Sequence, residues 1–484
     1  MKTNRAARTA LAAAGLSVST VVAQGTACSS ILVPTYSPPS VASGWQAQLV
    51  VGGLTKPRSI EFDTAGGLLV VESGKGVTRH TFIDNGGTCL TADQSVLLIN
   101  DTTLNHGLAL SEDGKTIYAS SAEAVAAWDY NPRAGTVGTS RVVVNRMSNN
   151  DLVTRTLLIS KKQKGTLIVS RGSADGNELR AETLSNGLSQ IRAFDMTNLT
   201  RGSDPYNFNS EGAVLGWGLR NSVGVGEHPV TGGIYAVENS MDGVTRNGKD
   251  IHENNPGEEL NYFGALSGSG TQLGHNFGYP RCFAVWDLAE IPQNDGLKIG
   301  DQFATDEKFL TDEVCGSEFV APRLTLPAHY APLDIKFSSD GSEAYISFHG
   351  SFNKQDPAGY RVSTIAFDAQ KGEPVAKADS KDALVDIMTN PDNAKCPGAC
   401  FRPAGLAFDS TGRLWMTSDT TGEIYVLQKT GDGSTPTATA SGTIVTPTGT
   451  AGKDNSANGG LWTWETKVIA YGAVAFVVGW LAVF

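Results

Sequence analysis

His106-Gly-Leu-Ala-Leu-Ser-Glu-Asp-Gly114 followed by Ile117-Tyr-Ala-Ser120, and Leu333-Asp-Ile-Lys-Phe-Ser-Ser-Asp-Gly341 followed by Ala344-Tyr-Ile-Ser347, are two copies of one unit. Each copy is an apolar strand, a tight turn carrying Asp-Gly, and a second apolar strand ending on a small or polar residue, which together signal a hairpin. Working outward, the unit recurs at Arg58-Ser-Ile-Glu-Phe-Asp63 with Gly67-Leu-Leu-Val-Val71, and at Thr156-Leu-Leu-Ile-Ser160 with Leu167-Ile-Val-Ser170. Two more copies are Ser222-Val-Gly-Val225 with Gly233-Ile-Tyr-Ala-Val237, and Ala404-Gly-Leu-Ala-Phe-Asp409 with Leu414-Trp-Met-Thr417. A hairpin cannot bury both faces alone, so its copies must pack on one another. Six copies predict an all-β chain, a six-bladed β-propeller with a central channel whose mouth is lined by the loops entering each blade's first strand.

Those entry positions are polar: Arg58, Asn105 with His106, Asp151 with Arg155, Arg220 with Asn221, and Arg402. Positions just after the second strands add Arg171-Gly-Ser173, Glu238-Asn-Ser-Met-Asp242 and His349-Gly-Ser-Phe-Asn-Lys354. Guanidinium forks pair with carboxylates in bidentate fashion, so an opening rich in Arg suits a planar ligand carrying several negative charges. His80, His228 and His252 lie outside this pattern and read as surface residues.

The rest of the chain sets the context. Of its 484 residues 55 are Gly, which points to many turns, and the net charge of −11 argues against a nucleic-acid partner. Residues 1–23 carry Lys2, Arg5 and Arg8 before an apolar run, the layout of a secretory signal, so the mature chain is expected from Gln24. The propeller is expected over residues 24–429. In an exported chain the six cysteines imply disulfides, and the preferred near-neighbour set is Cys28 with Cys89, Cys282 with Cys315, and Cys396 with Cys400. Asn100-Asp-Thr and Asn198-Leu-Thr are glycosylation sequons.

Residues 430–455, rich in Ser, Thr, Gly and Pro, read as a disordered C-terminal stalk. Residues 456–484 end in an apolar run and read as a glycosylphosphatidylinositol (GPI) anchor signal, with Asn455 or Asn458 as acceptor. A chain so built is expected outside the cell, held at the plasma membrane.

Five segments carry a resemblance to a known family: Gly218-Leu-Arg-Asn221, Glu258-Glu-Leu-Asn261, Gly274-His-Asn-Phe-Gly-Tyr-Pro280, His349-Gly-Ser-Phe-Asn353 with Gly359-Tyr-Arg-Val362, and Arg402-Pro403. In this order the chain resembles the soluble quinoprotein sugar dehydrogenases, especially the fungal pyrroloquinoline-quinone (PQQ)-dependent pyranose dehydrogenases and the sorbosone dehydrogenase group, over roughly residues 57–427. The resemblance implies PQQ in the channel mouth, a bridging Ca2+, a sugar substrate and an external electron acceptor; no fused haem domain is apparent. It implies Arg220 and Asn221 as quinone contacts, Ser240 and Met241 as carbonyl donors to Ca2+, and Arg58, Arg171, His349 and Arg402 as further clamps.

The family's catalytic His precedes a Thr-Arg-Thr-Leu segment. Here Leu152 occupies or adjoins that place, in Asn149-Asn-Asp-Leu-Val-Thr-Arg155. Asp151 and His106 are the two candidate replacements, and His106 is chosen because an imidazole titrates near neutral pH. Two other classes stay open: a calcium-dependent lactonase, which needs several carboxylates on one metal, and a noncatalytic sugar-binding or adhesion propeller.

Overall fold

The structure is a computed structural model that describes Cys28, residues 30–267 and 273–430, and the strand Thr443–Val445. Each repeat forms the first two strands of a blade. The pairs are Pro57–Phe62 with Leu68–Glu72, Leu104–Leu110 with Thr116–Ser121, and Leu157–Ile159 with Thr166–Arg171. They continue with Ser222–Glu227 and Gly233–Glu238, Pro332–Phe337 and Glu343–Phe348, and Pro403–Phe408 and Leu414–Ser418. The first strands neighbour one another in sequence order and the last meets the first, closing a six-bladed propeller.

Second strands are buried on both faces, because each blade is covered by its neighbours, and Leu68–Glu72 and Thr166–Arg171 are buried throughout. Aromatic side chains fill the seams between blades. Trp415 of the last blade, for example, takes Phe62 and Phe82 of the first at centroid distances of 5.2 and 4.8 Å.

The ring is closed by the chain's own N-terminal part. Trp45–Val51 pairs antiparallel with Glu423–Lys429, placing Gln48 opposite Val426 and Leu49 opposite Tyr425, so the two ends of the propeller share one sheet. Ser30–Leu32 continues that sheet, and Thr443–Val445 pairs with it in parallel. This short Thr-Ile-Val run lies inside the segment expected as a stalk without structure. The expected signal segment, the rest of the stalk and the anchor signal lie outside the described residues.

Ladder registers shift at the entries of the innermost strands: between Pro57 and Ile60, Leu104 and Leu108, Ser222 and Gly224, Pro332 and Asp334, and Pro403 and Leu406. Such bulges break strict alternation and re-aim side chains; they contain Arg58 and His106 and begin one residue after Arg402. Glycine permits the close approach of blades there. A Cβ on Gly405 would lie 2.3 Å from the Arg58 carbonyl oxygen.

The fourth blade carries two long insertions, residues 239–257 and 266–323. Among their residues, Val244, Ile251, Tyr279, Phe283 and Phe303 form a separate apolar cluster. Arg246 is fully buried against Asp312, and Cys282 is bonded to Cys315. Cys28 with Cys89 and Cys396 with Cys400 complete the expected disulfide set.

Two histidines expected at the surface are instead buried. His80, 1% exposed, lies 2.9 Å from the Thr78 hydroxyl, and His228 packs on Phe337 with Nε2 3.0 Å from the Gly341 carbonyl oxygen. Both imidazoles satisfy polar groups inside the blades, which sequence spacing alone does not reveal.

Candidate active site at the channel mouth

Asp419 is the centre of the mouth. It directly follows the second strand of the last blade, Leu414–Ser418, and its carboxylate reaches two partners. One oxygen accepts from the Arg58 guanidinium; the other lies 2.8 Å from His349 Nε2. Burial opposes its ionisation, but His349 and Arg58 together hold the carboxyl well below the usual carboxylate range. Burial lowers the His349 pKa and Asp419 works against that shift, so the imidazole is neutral at neutral pH. Nε2–H then donates to Asp419, leaving Nδ1 with a free lone pair and no protein partner among the described residues.

Arg402 fixes the loop that carries His349. Its Nε donates to the His349 carbonyl at 3.0 Å and its Nη2 to the Gly350 carbonyl at 2.9 Å, while the guanidinium lies over the Tyr360 ring. Neither Nη2 of Arg58 nor Nη1 of Arg402 has a protein acceptor among the described residues.

The same loop reaches across to the fourth blade. Asn353 donates to the Asp242 carbonyl at 2.7 Å, and the Asp242 carboxylate pairs with Arg220 Nη2 at 2.6 Å. Arg220 Nη1 also donates to the Ser240 carbonyl at 2.8 Å. The Met241 carbonyl accepts no hydrogen bond among the described residues. Beside Arg220, the Asn221 side-chain amide also donates to no protein atom there, and its Oδ1 would meet a Cβ on Gly172 at 2.7 Å.

Two buried acids hold this backbone. Glu238 accepts from the Asn221 and Ser222 groups, and Glu258 accepts from the N–H groups of Ser240 at 2.7 Å and Ala331 at 3.0 Å. Burial pushes both carboxyls up to about 8, so at neutral pH they cancel little of the surrounding positive charge. Three guanidiniums, Arg58, Arg220 and Arg402, thus face two carboxyl groups, Asp242 and Asp419.

The other expected residues stand elsewhere. His106 is 2% exposed in the channel wall, with Nδ1 accepting from Arg58 Nε at 3.2 Å and Nε2 3.1 Å from the Thr156 hydroxyl. Burial, then the neighbouring Arg58 charge, hold its pKa well below the ordinary histidine value. Below it the axis opens into a cavity of about 820 Å3 that includes Glu61, Asp334 and Lys336 in its lining.

Asp151 is exposed on a rim loop, its carboxylate accepting from the Leu152 N–H at 2.7 Å. Leu152 itself adopts a positive φ of 46°. Arg171 does not reach the opening: its guanidinium is spent on Asn149, Asn209 and the carbonyls of Arg146, Ser148 and Gly187, and so orders the loop before Leu152. Asp419 escaped the sequence reading, yet it obeys the rule that selected His349, a polar residue just after a second strand.

Among the described residues no three His, Cys, Asp or Glu side chains gather to hold a metal, the arrangement a metal-dependent lactonase would need. The Ser240 carbonyl, expected as a Ca2+ donor, already accepts from Arg220 Nη1; the Met241 carbonyl and the Asp242 carboxylate remain as oxygen donors, which suit a hard cation.

A "Pyrroloquinoline quinone-dependent sugar dehydrogenase" from Hypocrea jecorina is 50% identical over 402 residues, covering 82% of this chain and 91% of that protein. A "Pyrroloquinoline quinone-dependent pyranose dehydrogenase" from Coprinopsis cinerea is 39% identical over 406 residues; the chain spans 54% of that longer protein. The solved holo form of the Coprinopsis cinerea pyranose dehydrogenase PQQ domain superposes with a TM-score of 0.77 at 37% identity, covering 83% of this chain and all of that domain. The TrAA12-like family model matches residues 39–430, and the chain belongs to that family.

Proposed function

We propose that this protein is an oxidoreductase that oxidises a sugar with PQQ and Ca2+ in the channel mouth and passes the electrons to an external acceptor. The observation that carries this reading is the pair His349 and Asp419: a neutral, carboxylate-oriented imidazole with a free Nδ1, beside guanidiniums with unused donors. When bound, the quinone supplies the two-electron acceptor that no side chain here provides. Arg58, Arg402 and Asn221 are the residues with spare donors to hold its carboxylates and carbonyls. The Met241 carbonyl and the Asp242 carboxylate are the oxygen donors that would hold Ca2+.

His349 Nδ1 takes the proton of the sugar hydroxyl as the adjacent carbon is oxidised, and Asp419 stabilises the imidazolium that results. Asp419 thereby acts as the orienting partner of a general base. His106 cannot serve in that role while its Nδ1 is covered by Arg58 Nε. The N-terminal basic-then-apolar segment and the three disulfides support export, and the apolar C-terminal run supports a lipid anchor at the cell surface.

Titrating the calcium-loaded protein with PQQ in a calorimeter, and then supplying a sugar panel with a dye acceptor, tests the reading. Calcium-dependent binding followed by dye reduction is expected. Absence of binding would retire the redox function, and binding without dye reduction on any sugar would leave a quinone-binding propeller.

A further inference from the structure

We infer that His106 is a positioning residue, a neutral strut locked in one tautomer that holds the Arg58 guanidinium toward the mouth. Three contacts define the lock. Thr156 donates its hydroxyl proton to the Val223 carbonyl, so its oxygen is free to accept, and it lies 3.1 Å from His106 Nε2. His106 therefore carries its proton on Nε2 and presents a lone pair on Nδ1, where Arg58 Nε donates at 3.2 Å.

With Nε held by His106 and one Nη by Asp419, the guanidinium is fixed in plane and its remaining donors point away from both partners. Neither partner alone would do this, because a single contact leaves a long side chain free to rotate. His106 also lines the axial cavity behind the mouth, so without the imidazole Arg58 would have an open space to swing into. Burial favours the neutral ring, and protonating Nδ1 would set a donor against the Arg58 donor.

The inference rests on the mouth being the quinone site, and its test separates the two claims. An Asn side chain can present an amide oxygen near the place of the imidazole Nδ1, whereas a Gln side chain can present its amide near Nε2. His106→Asn should therefore keep an acceptor for Arg58, His106→Gln should keep only the Thr156 contact, and His106→Leu should keep neither.

PQQ affinity of the calcium-loaded full chain is read by calorimetry, with a thermal melt of each variant alongside. His106→Asn is expected within about threefold of the unaltered protein, and His106→Gln and His106→Leu to bind about tenfold or more weakly, the scale of one charged hydrogen bond. Arg58→Gln should bring all four backgrounds to the same weak affinity, because the strut then has nothing to hold.

If the unaltered protein binds no PQQ, the quinone reading falls and the inference with it. If it binds and His106→Leu binds equally well, or if Asn and Leu variants of equal melting temperature lose affinity alike, the positioning role alone is overturned.

Discussion

In the proposed reaction Asp419 settles the His349 imidazolium, and its depressed pKa also bears on acid stability; one substitution separates the two. Asp419→Asn leaves His349 without a charge to settle its imidazolium, so kcat should fall about a hundredfold. The Asn oxygen can still accept from Arg58 while its amide N–H groups face His349, so PQQ affinity should hold; steady-state kinetics and calorimetry together read this. The stability effect has a defined sign. The folded carboxyl is held below its unfolded value near 3.9, so its stabilisation is present above about pH 4 and is lost as pH falls further. Urea unfolding across that range should show a shallower acid loss for Asp419→Asn than for the unaltered protein. Arg58, His349 and Arg402 were legible in the sequence because position in the repeat marks the mouth. The shared partner of Arg58 and His349 was not, because Asp419 lies 361 residues from the first and 70 from the second.

The innermost strands work as elements because bulges turn their first residues toward the axis while glycines let neighbouring blades touch. Gly405 stands where the last blade meets the first, and a methyl group there would press on the Arg58 carbonyl and on Ser59 Cα, at 2.3 and 2.9 Å. Gly405→Ala should destabilise the fold by about 2 kcal/mol, as overpacking does, and weaken PQQ binding by moving the Arg58 backbone. A lowered denaturant midpoint with unchanged slope, together with weaker calorimetric binding, is the expected pair of results. Strand identity was written in the Asp-Gly hairpins, but the register shifts were not. A bulge is decided by what lies across the ladder and behind it, which is why the channel-wall burial of His106 was missed.

At the scale of the molecule, the ring holds because the strand Trp45–Val51 completes the last blade. Leu49 is 3% exposed and packs in the cluster with Tyr425 and Leu427. Leu49→Ala should cost about 3 kcal/mol, read as a shift of the whole unfolding transition in urea. Local fraying alone, with the main transition unmoved, would show that closure does not set global stability. From the sequence by itself came the repeat count, the propeller, and the arginine and histidine complement of the mouth. These follow from local pattern, since hairpin turns and strand alternation act over a few residues, whereas the six cysteines allowed several pairings and the structure selected the near-neighbour set. Only the tertiary structure decided which residues use that complement. It sank His106 into the wall, turned Arg171 to its own loop and set Asp419 between Arg58 and His349. Burial and pairing between blades fix protonation and donor direction, and both depend on neighbours hundreds of residues away.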